Sequence, residues 1–206
     1  LDFFSYHFYE NAGTLGAHER RGQGYSNYLL GRYEATLDVL RAEMHNAENV
    51  LPILITECGS LQNGRQAADN WLRVLAWNAF LTKTMQRPDQ IELFVPFVFL
   101  HMPWNPISGD AVFTPKDNRQ QHLTIDDFDV TPIANFFELW RDFNGRRLPV
   151  AYDKEWLDVV AIHSNKKISL AVTNMGGRQL LLDLSSIQQQ YPEVSARQTR
   201  LNYHEG

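Results

Sequence analysis

The chain has 206 residues, 44% hydrophobic and 12% aromatic, which is enough apolar material for a sizeable core. Its formal net charge is −5 with Lys and Arg scattered, so no basic stripe points to nucleic acid, and no apolar run approaches the roughly 20 residues of a membrane-spanning helix. The single cysteine, Cys58, excludes an internal disulfide and leaves the redox compartment open.

Phe4, Tyr6 and Phe8 alternate with Phe3, Ser5, His7 and Tyr9, and period two predicts a strand from near the first residue. The aromatic set makes one apolar face; the other becomes polar toward its C-terminal end. A chain that opens inside such a strand, at Leu1, is expected to be part of something longer. A loop from Glu10 to Tyr25 follows, with four glycines and the charged patch His18-Glu19-Arg20-Arg21. Ser26 is placed to cap a helix running to about Asn49, with Leu29, Tyr33, Leu37, Leu40 and Met44 as its apolar stripe.

Leu51 to Ile55 is a run of branched apolar residues that continues through Thr56 to Glu57, Cys58 and Gly59. A strand this apolar is buried on both faces, as in a parallel sheet covered by helices. A carboxylate at the end of such a strand is costly to bury without partners, and in a β/α barrel the C-terminal strand ends carry the chemistry. Glu57 is therefore the leading candidate for a catalytic carboxylate. Cys58, next to it in the strand, is expected to point the other way and to pack rather than react.

A helix is predicted from about Gln66 to Gln86, with Trp71, Leu75, Phe80 and Met85 as buried candidates and Pro88-Asp89 as its stop. Ile91 to Leu100 reads as a third strand, with a local irregularity expected at Pro96, which removes a ladder donor. A long loop carries Trp104, Phe113 and Phe128 from His101 to about Val130, a length typical of functional loops. Thr131-Pro132 starts a further predicted helix whose buried face is Ile133, Phe136, Phe137, Trp140 and Phe143, closed by Gly145. Then the pattern changes. Residues 156–163 and 167–174 flank Ser164-Asn165-Lys166 and read as a β-hairpin, and Gln179 to Leu184 as a third short strand.

The order is thus β-α-β-α-β-α followed by β-β-β. Three βα units do not close a barrel, which takes about eight strands. The expected architecture is α/β: residues 1–147 as the C-terminal part, about strands six to eight, of a (β/α)8 TIM barrel, and residues 148–206 as the start of an antiparallel β-sandwich. Neighbouring parallel strands lie about 4.8 Å apart, so His7 or Tyr9 would reach Glu57 from the adjacent strand end. A tyrosine hydroxyl donated to a carboxylate keeps it ionised and oriented, as a carboxylate nucleophile requires.

Ser5-Tyr6-His7-Phe8-Tyr9 followed by Ile55-Thr56-Glu57-Cys58-Gly59 resembles strands six and seven of the retaining glycoside hydrolases of clan A. With Val95-Pro96-Phe97-Val98-Phe99 and the β region after the barrel part, the run most resembles glycoside hydrolase family 86, the β-agarases and β-porphyranases. The resemblance implies an endo-acting enzyme that cleaves β-1,4-galactosidic bonds of agar or porphyran, with Glu57 as nucleophile and no cofactor. It implies a sugar-binding role for His7 and Tyr9, stacking on Trp104, which sits where the clan places a Trp after strand eight, and contacts from His18, Arg20 and Arg21 to a sulfate ester of porphyran. It also implies action outside the cytoplasm, with a polysaccharide and the remaining N-terminal half of the barrel as the partners, and neither nucleic acid nor membrane.

One element of the family pattern is absent. The acid/base is the Glu of an Asn-Glu pair after strand four, and no such pair occurs here in that context; Ala47-Glu48-Asn49 lies at a helix end. These 206 residues alone are therefore expected to be inactive. The competing readings are another clan A hydrolase of xylan, mannan or glucan, a non-catalytic carbohydrate-binding protein, and a metal hydrolase using His7, Glu57 and His101. The last lacks paired-histidine spacing.

Overall fold

Alternating aromatic residues open the chain as a strand, β1 (Phe4–Glu10), and the apolar run before Glu57 forms β2 (Ile53–Ser60) beside it, with β3 (Ile91–Pro96) on the far side of β2. A computed structural model describes residues 2–10, 29, 31–60, 67–101, 111–116, 124–152, 157–165, 167–175, 180–183, 185–190, 192–193 and 195–199. Both pairings are parallel and the order is β1-β2-β3, so β1 and β3 are the outer strands of this sheet. The crossovers are α1 (Arg32–Asn46) and α2 (Ala67–Met85).

Both helices cover one face of the sheet. Phe8, Ile53, Ile55, Cys58 and Ile91 from the strands pack with Tyr33, Leu37 and Met44 of α1 and with Ala76, Ala79 and Phe80 of α2 in a single buried cluster. Phe8 meets the edge of the Tyr33 ring at 4.6 Å, and Tyr33 meets Phe80 at 5.4 Å. The Tyr33 hydroxyl is buried with a partner, Thr84 Oγ1 at 2.7 Å, as a buried phenol requires. The stripe expected for α1 thus faces the core, with Leu40 partly buried against it. The helix begins after Gly31, whose φ of +103° suits glycine. Ser26, its expected cap, lies outside the described residues. On α2 the expected Phe80 is buried, but Trp71, Leu75 and Met85 are only half-buried; Val74 and Trp77 are buried in their place. Two opposite faces of α2 are occupied at once, which a single 3.6-residue stripe does not anticipate.

The second face of α2 carries a smaller core of Val74, Trp77, Val112, Ile133 and Phe136. The third strand is shorter than its apolar run suggests. It ends at Pro96, where the β2–β3 register slips between Ile55 and Cys58, and Leu100 makes only an isolated parallel bridge to Phe113. The loop that follows holds some regular structure: β4 (Phe113–Pro115) pairs antiparallel with β5 (Phe128–Val130), with a 3-10 turn at Ile125–Asp127 just before β5.

The helix expected from Thr131 onward is broken in two: a 3-10 turn at Pro132–Ala134 and α3 (Asn135–Trp140). Thr131 stands at the N-cap with Pro132 in the first turn, as expected, but its side chain makes no capping bond. Its hydroxyl donates instead to the Ala111 carbonyl at 2.7 Å, tying the loop to β4. Phe136 is buried and Trp140 and Phe143 are half-buried, but Phe137 is 37% exposed, because consecutive helical residues cannot share one face.

Gly145, at φ +142°, leads into β6 (Arg146–Leu148). A Cβ there would lie 2.5 Å from the His163 carbonyl oxygen, so only glycine fits. The strand β6 joins β7 (Leu157–Ser164) and β8 (Lys167–Asn174) in an antiparallel sheet of order β6-β7-β8. The expected hairpin is present, with Ser164 opposite Lys167 and Asn165 in the left-handed region at φ +53°. The strand expected from Gln179 to Leu184 does not form over residues 180–183, and Gln179 and Leu184 lie outside the described residues. Residues 180–183 are unpaired in any sheet and Leu181 is 94% exposed. The Asp183 carboxylate instead accepts from the Ser185 amide at 2.9 Å, a local bond that starts the short α4 (Ser185–Gln190) in place of a ladder.

Buried polar groups join the antiparallel sheet to α2. Lys83 on α2 pairs with Glu34 of α1 at 2.5 Å and with Asp158 of β7 at 3.1 Å. Gln86 donates to Asp158 at 3.3 Å, and Thr82 and Thr173 share a hydroxyl hydrogen bond of 2.7 Å.

Candidate active site

Among the described residues the parallel sheet is helix-covered on one face only, and the other face carries the polar residues that sequence periodicity singles out. Ser5, His7 and Tyr9 line it from β1. Strict alternation along β2 would put Glu57 on the same side as Ile53 and Ile55, in the core. The register prevents this. Tyr6 pairs with Ile55, but His7 pairs with Glu57, so Thr56 is an extra residue, a β-bulge. The slip turns Cys58 into the core, where it is fully buried, and turns Glu57 out beside His7 and Tyr9. Burial pushes the Cys58 thiol well above its ordinary value, which makes it a packing group and not a nucleophile.

The Tyr9 hydroxyl donates to Glu57 Oε2 at 2.5 Å. Half-burial and the adjacent carboxylate both raise the Tyr9 phenol far above its ordinary value, so it stays a donor across the working pH range. The ring also meets Phe97 edge-on at 6.0 Å. His7 Nδ1 lies 3.4 Å from the same Glu57 Oε2, within ion-pair reach but longer than a formed hydrogen bond. On its other side, His7 Nε2 lies 3.1 Å from Thr56 Oγ1, which is 2.7 Å from Ser5 Oγ. His7 is 49% exposed and Glu57 35%, so the group is open to a ligand.

Gly59 stands opposite Tyr9, two residues beyond Glu57. A Cβ at Gly59 would come within 3.0 Å of the Phe97 carbonyl and 3.1 Å of Trp77 Nε1. Glycine here lets α2 and the end of β3 close on the strand end.

Of the residues the sequence singles out, the structure brings His7, Tyr9 and Glu57 together. Trp104, His18, Arg20 and Arg21 lie outside the described residues. Sequence reasoning missed Ser5 and Thr56. Ser5 was legible as the next residue on the face of His7 and Tyr9; Thr56 was not, because alternation assigns it to the face opposite Glu57. Glu10 was read as the first loop residue. It is instead the last residue of β1, fully buried, with Oε2 accepting from the Leu29 amide at 2.9 Å. No group of three or more His, Cys, Asp or Glu side chains that could hold a metal ion occurs among the described residues. No helix among them is long and apolar enough to cross a membrane.

Comparison with known proteins places this arrangement in context. No family model matches the chain. It is 24% identical over 221 residues to beta-porphyranase A of Phocaeicola plebeius, covering 100% of this chain and 29% of that protein. It is 24% identical to the funoran endo-beta-hydrolase of Wenyingzhuangia aestuarii, covering 89% of this chain and 25% of the relative. It is 23% identical to the beta-agarase AgaO of Microbulbifer thermotolerans, covering 90% and 17%. The chain therefore spans less than a third of the length of each of these three. Among solved structures, a beta-porphyranase of glycoside hydrolase family 86 from Bacteroides plebeius matches with a TM-score of 0.62 at 22% identity, over 84% of this chain and 30% of that one. A family 86 protein solved in complex with neoagarooctaose matches with a TM-score of 0.63 at 22% identity, over 84% and 27%.

Proposed function

We propose, from the likeness of this chain to part of the glycoside hydrolase family 86 enzymes, that it is the C-terminal part of the catalytic barrel of a retaining, endo-acting galactan hydrolase. The bonds cleaved are β-1,4-galactosidic bonds of agar or porphyran, and Glu57 is the nucleophile. The observation that carries this reading is the placement of Glu57 at a parallel strand end, with the Tyr9 hydroxyl held on one of its oxygens. In this reading β1, β2 and β3 are strands six to eight. Sequential strand order with both helices on one face fits a singly wound barrel. The bare face fits its lumen: Leu93 is 44% and Val95 37% exposed there, as residues awaiting cover from further strands would be. The antiparallel sheet after Gly145 is then the start of the β-sandwich.

The chemistry follows from two carboxyl groups about 5–5.5 Å apart. A Glu57 oxygen attacks the anomeric carbon as the glycosidic C–O bond breaks. The second carboxyl group, supplied from outside these residues, protonates the leaving oxygen. It then takes a proton from water, which attacks the same carbon and releases Glu57. Tyr9 orients the carboxylate before attack. His7 lies beside the sugar site, Trp104 offers a stacking face, and His18, Arg20 and Arg21 are placed in the reading to meet a sulfate ester. Action on a polymer places the enzyme outside the cytoplasm.

The test is Glu57→Gln in the complete protein, assayed on agarose and on porphyran. The expected outcome is a fall in kcat of about a thousandfold or more on whichever polymer is the substrate. Retention of most of kcat would remove Glu57 from the nucleophile role.

A further inference from the structure

Both contacts that the described residues make to the Glu57 carboxylate fall on one oxygen. Tyr9 Oη and His7 Nδ1 lie 2.5 Å and 3.4 Å from Oε2, and Oε1 makes no hydrogen bond or ion pair with the described residues. The far side of the ring also bears on which nitrogen of His7 carries the proton. There Nε2 lies 3.1 Å from Thr56 Oγ1, and that oxygen lies 2.7 Å from Ser5 Oγ.

Neutral imidazole has one N–H and one lone pair. A lone pair on Nδ1 would face a carboxylate oxygen, which is repulsive; an N–H there is attractive. With the proton on Nδ1, Nε2 is an acceptor and needs a donor. Thr56 supplies its single hydroxyl proton, and Ser5 supplies its own to Thr56 Oγ1. Each hydroxyl proton is used once, and the chain Ser5–Thr56–His7–Glu57 has one consistent direction. Only the bulge makes this possible. In an unbroken strand Thr56 and Glu57 would face opposite sides; here both reach the β1 residues of one face.

We propose that Thr56 is a positioning residue for the reaction. Its hydroxyl, backed by Ser5, holds the His7 ring as the Nδ1–H tautomer with that N–H turned toward Oε2; Tyr9 holds the same oxygen, which leaves Oε1 as the attacking atom. This rests on Glu57 being the nucleophile.

The experiment compares the complete protein with its Thr56→Val and Thr56→Ser variants. Imidazole nitrogen-15 NMR reads the tautomer, His7 being assigned by the signal lost in His7→Gln, and steady-state kinetics on the polymer read kcat and KM. The parent is expected to show His7 protonated at Nδ1. Thr56→Val, nearly isosteric, is expected to give mixed tautomers and about a fivefold lower kcat, the size of one hydrogen bond, with KM little changed. Thr56→Ser is expected to restore both. A parent His7 protonated mainly at Nε2 overturns the proposal and needs no variant to observe. So does a Thr56→Val protein with parental tautomer and kcat. Should Thr56→Val not fold, Ser5→Ala at the exposed end of the chain is expected to shift the tautomer balance in the same direction, and no shift counts against the proposal. Glu57→Gln separates the two claims. If it keeps most of kcat, the nucleophile reading fails; if it abolishes turnover while Thr56→Val changes nothing, only the role of Thr56 fails.

Discussion

In the proposed reaction, Tyr9 is the side chain that prepares the Glu57 carboxylate. Its phenol is held far above its ordinary value by half-burial and by Glu57 itself, so the hydroxyl proton remains in place as pH rises. Removing it with Tyr9→Phe keeps the ring against Phe97 but deletes the donor. A hydrogen bond to a charged group is worth about 1.5–3 kcal/mol, so kcat is expected to fall about tenfold to a hundredfold, with no new basic limb in the pH–rate profile up to about pH 10. A Tyr9→Phe enzyme with parental kcat would leave Tyr9 as a packing residue only. At this scale the candidate site was partly legible. His7, Tyr9 and Glu57 stand out because period-two alternation and a carboxylate ending an apolar strand are both visible in the residues. Thr56 does not stand out, since a one-residue bulge leaves no mark in the hydrophobic pattern and reverses the face of everything after it.

Elements with one apolar face were legible, and those under tertiary competition were not. The stripe of α1 faces the core as its spacing predicts, and the hairpin of β7 and β8 follows from two alternating runs around Asn165. The helix after Thr131 opens as a 3-10 turn whose N-cap hydroxyl is drawn to Ala111, and residues 180–183 lose strand pairing to an Asp183 turn. The helix α2 packs on both sides and also anchors β7 through Lys83. Burial pulls the Lys83 ammonium down, but Asp158 and Glu34 more than offset it and hold it above the ordinary lysine value. A raised lysine contributes stability that is present below its unfolded value and lost as pH climbs through the folded one. Lys83→Met, which strands Asp158 in a site where its side chain is only 5% exposed, is expected to cost about 3 kcal/mol at neutral pH. The double change Lys83→Met with Asp158→Leu should recover most of that loss. The gap between parent and Lys83→Met should narrow as pH rises above the ordinary lysine value of about 10.4. Urea unfolding midpoints at pH 7 and 11 check both; a gap that does not narrow would show that Lys83 acts by packing alone.

At the scale of the molecule, the described helices cover one face of the parallel sheet and leave the other uncovered among the described residues. The helix side holds the large apolar cluster, while the opposite face combines the polar strand ends with exposed Leu93 and Val95. The order β1-β2-β3 also leaves both outer strands paired on one side only among the described residues. Unpaired strand edges are templates for other chains. These 206 residues, produced without the rest of the proposed barrel, are therefore expected to self-associate edge to edge. Light scattering should report high-molecular-mass species that bind thioflavin T, and a stable monomer would mean the edges are already covered. The two strand edges that in the proposed barrel would meet further strands are, in isolation, expected to be the chain's principal aggregation hazard.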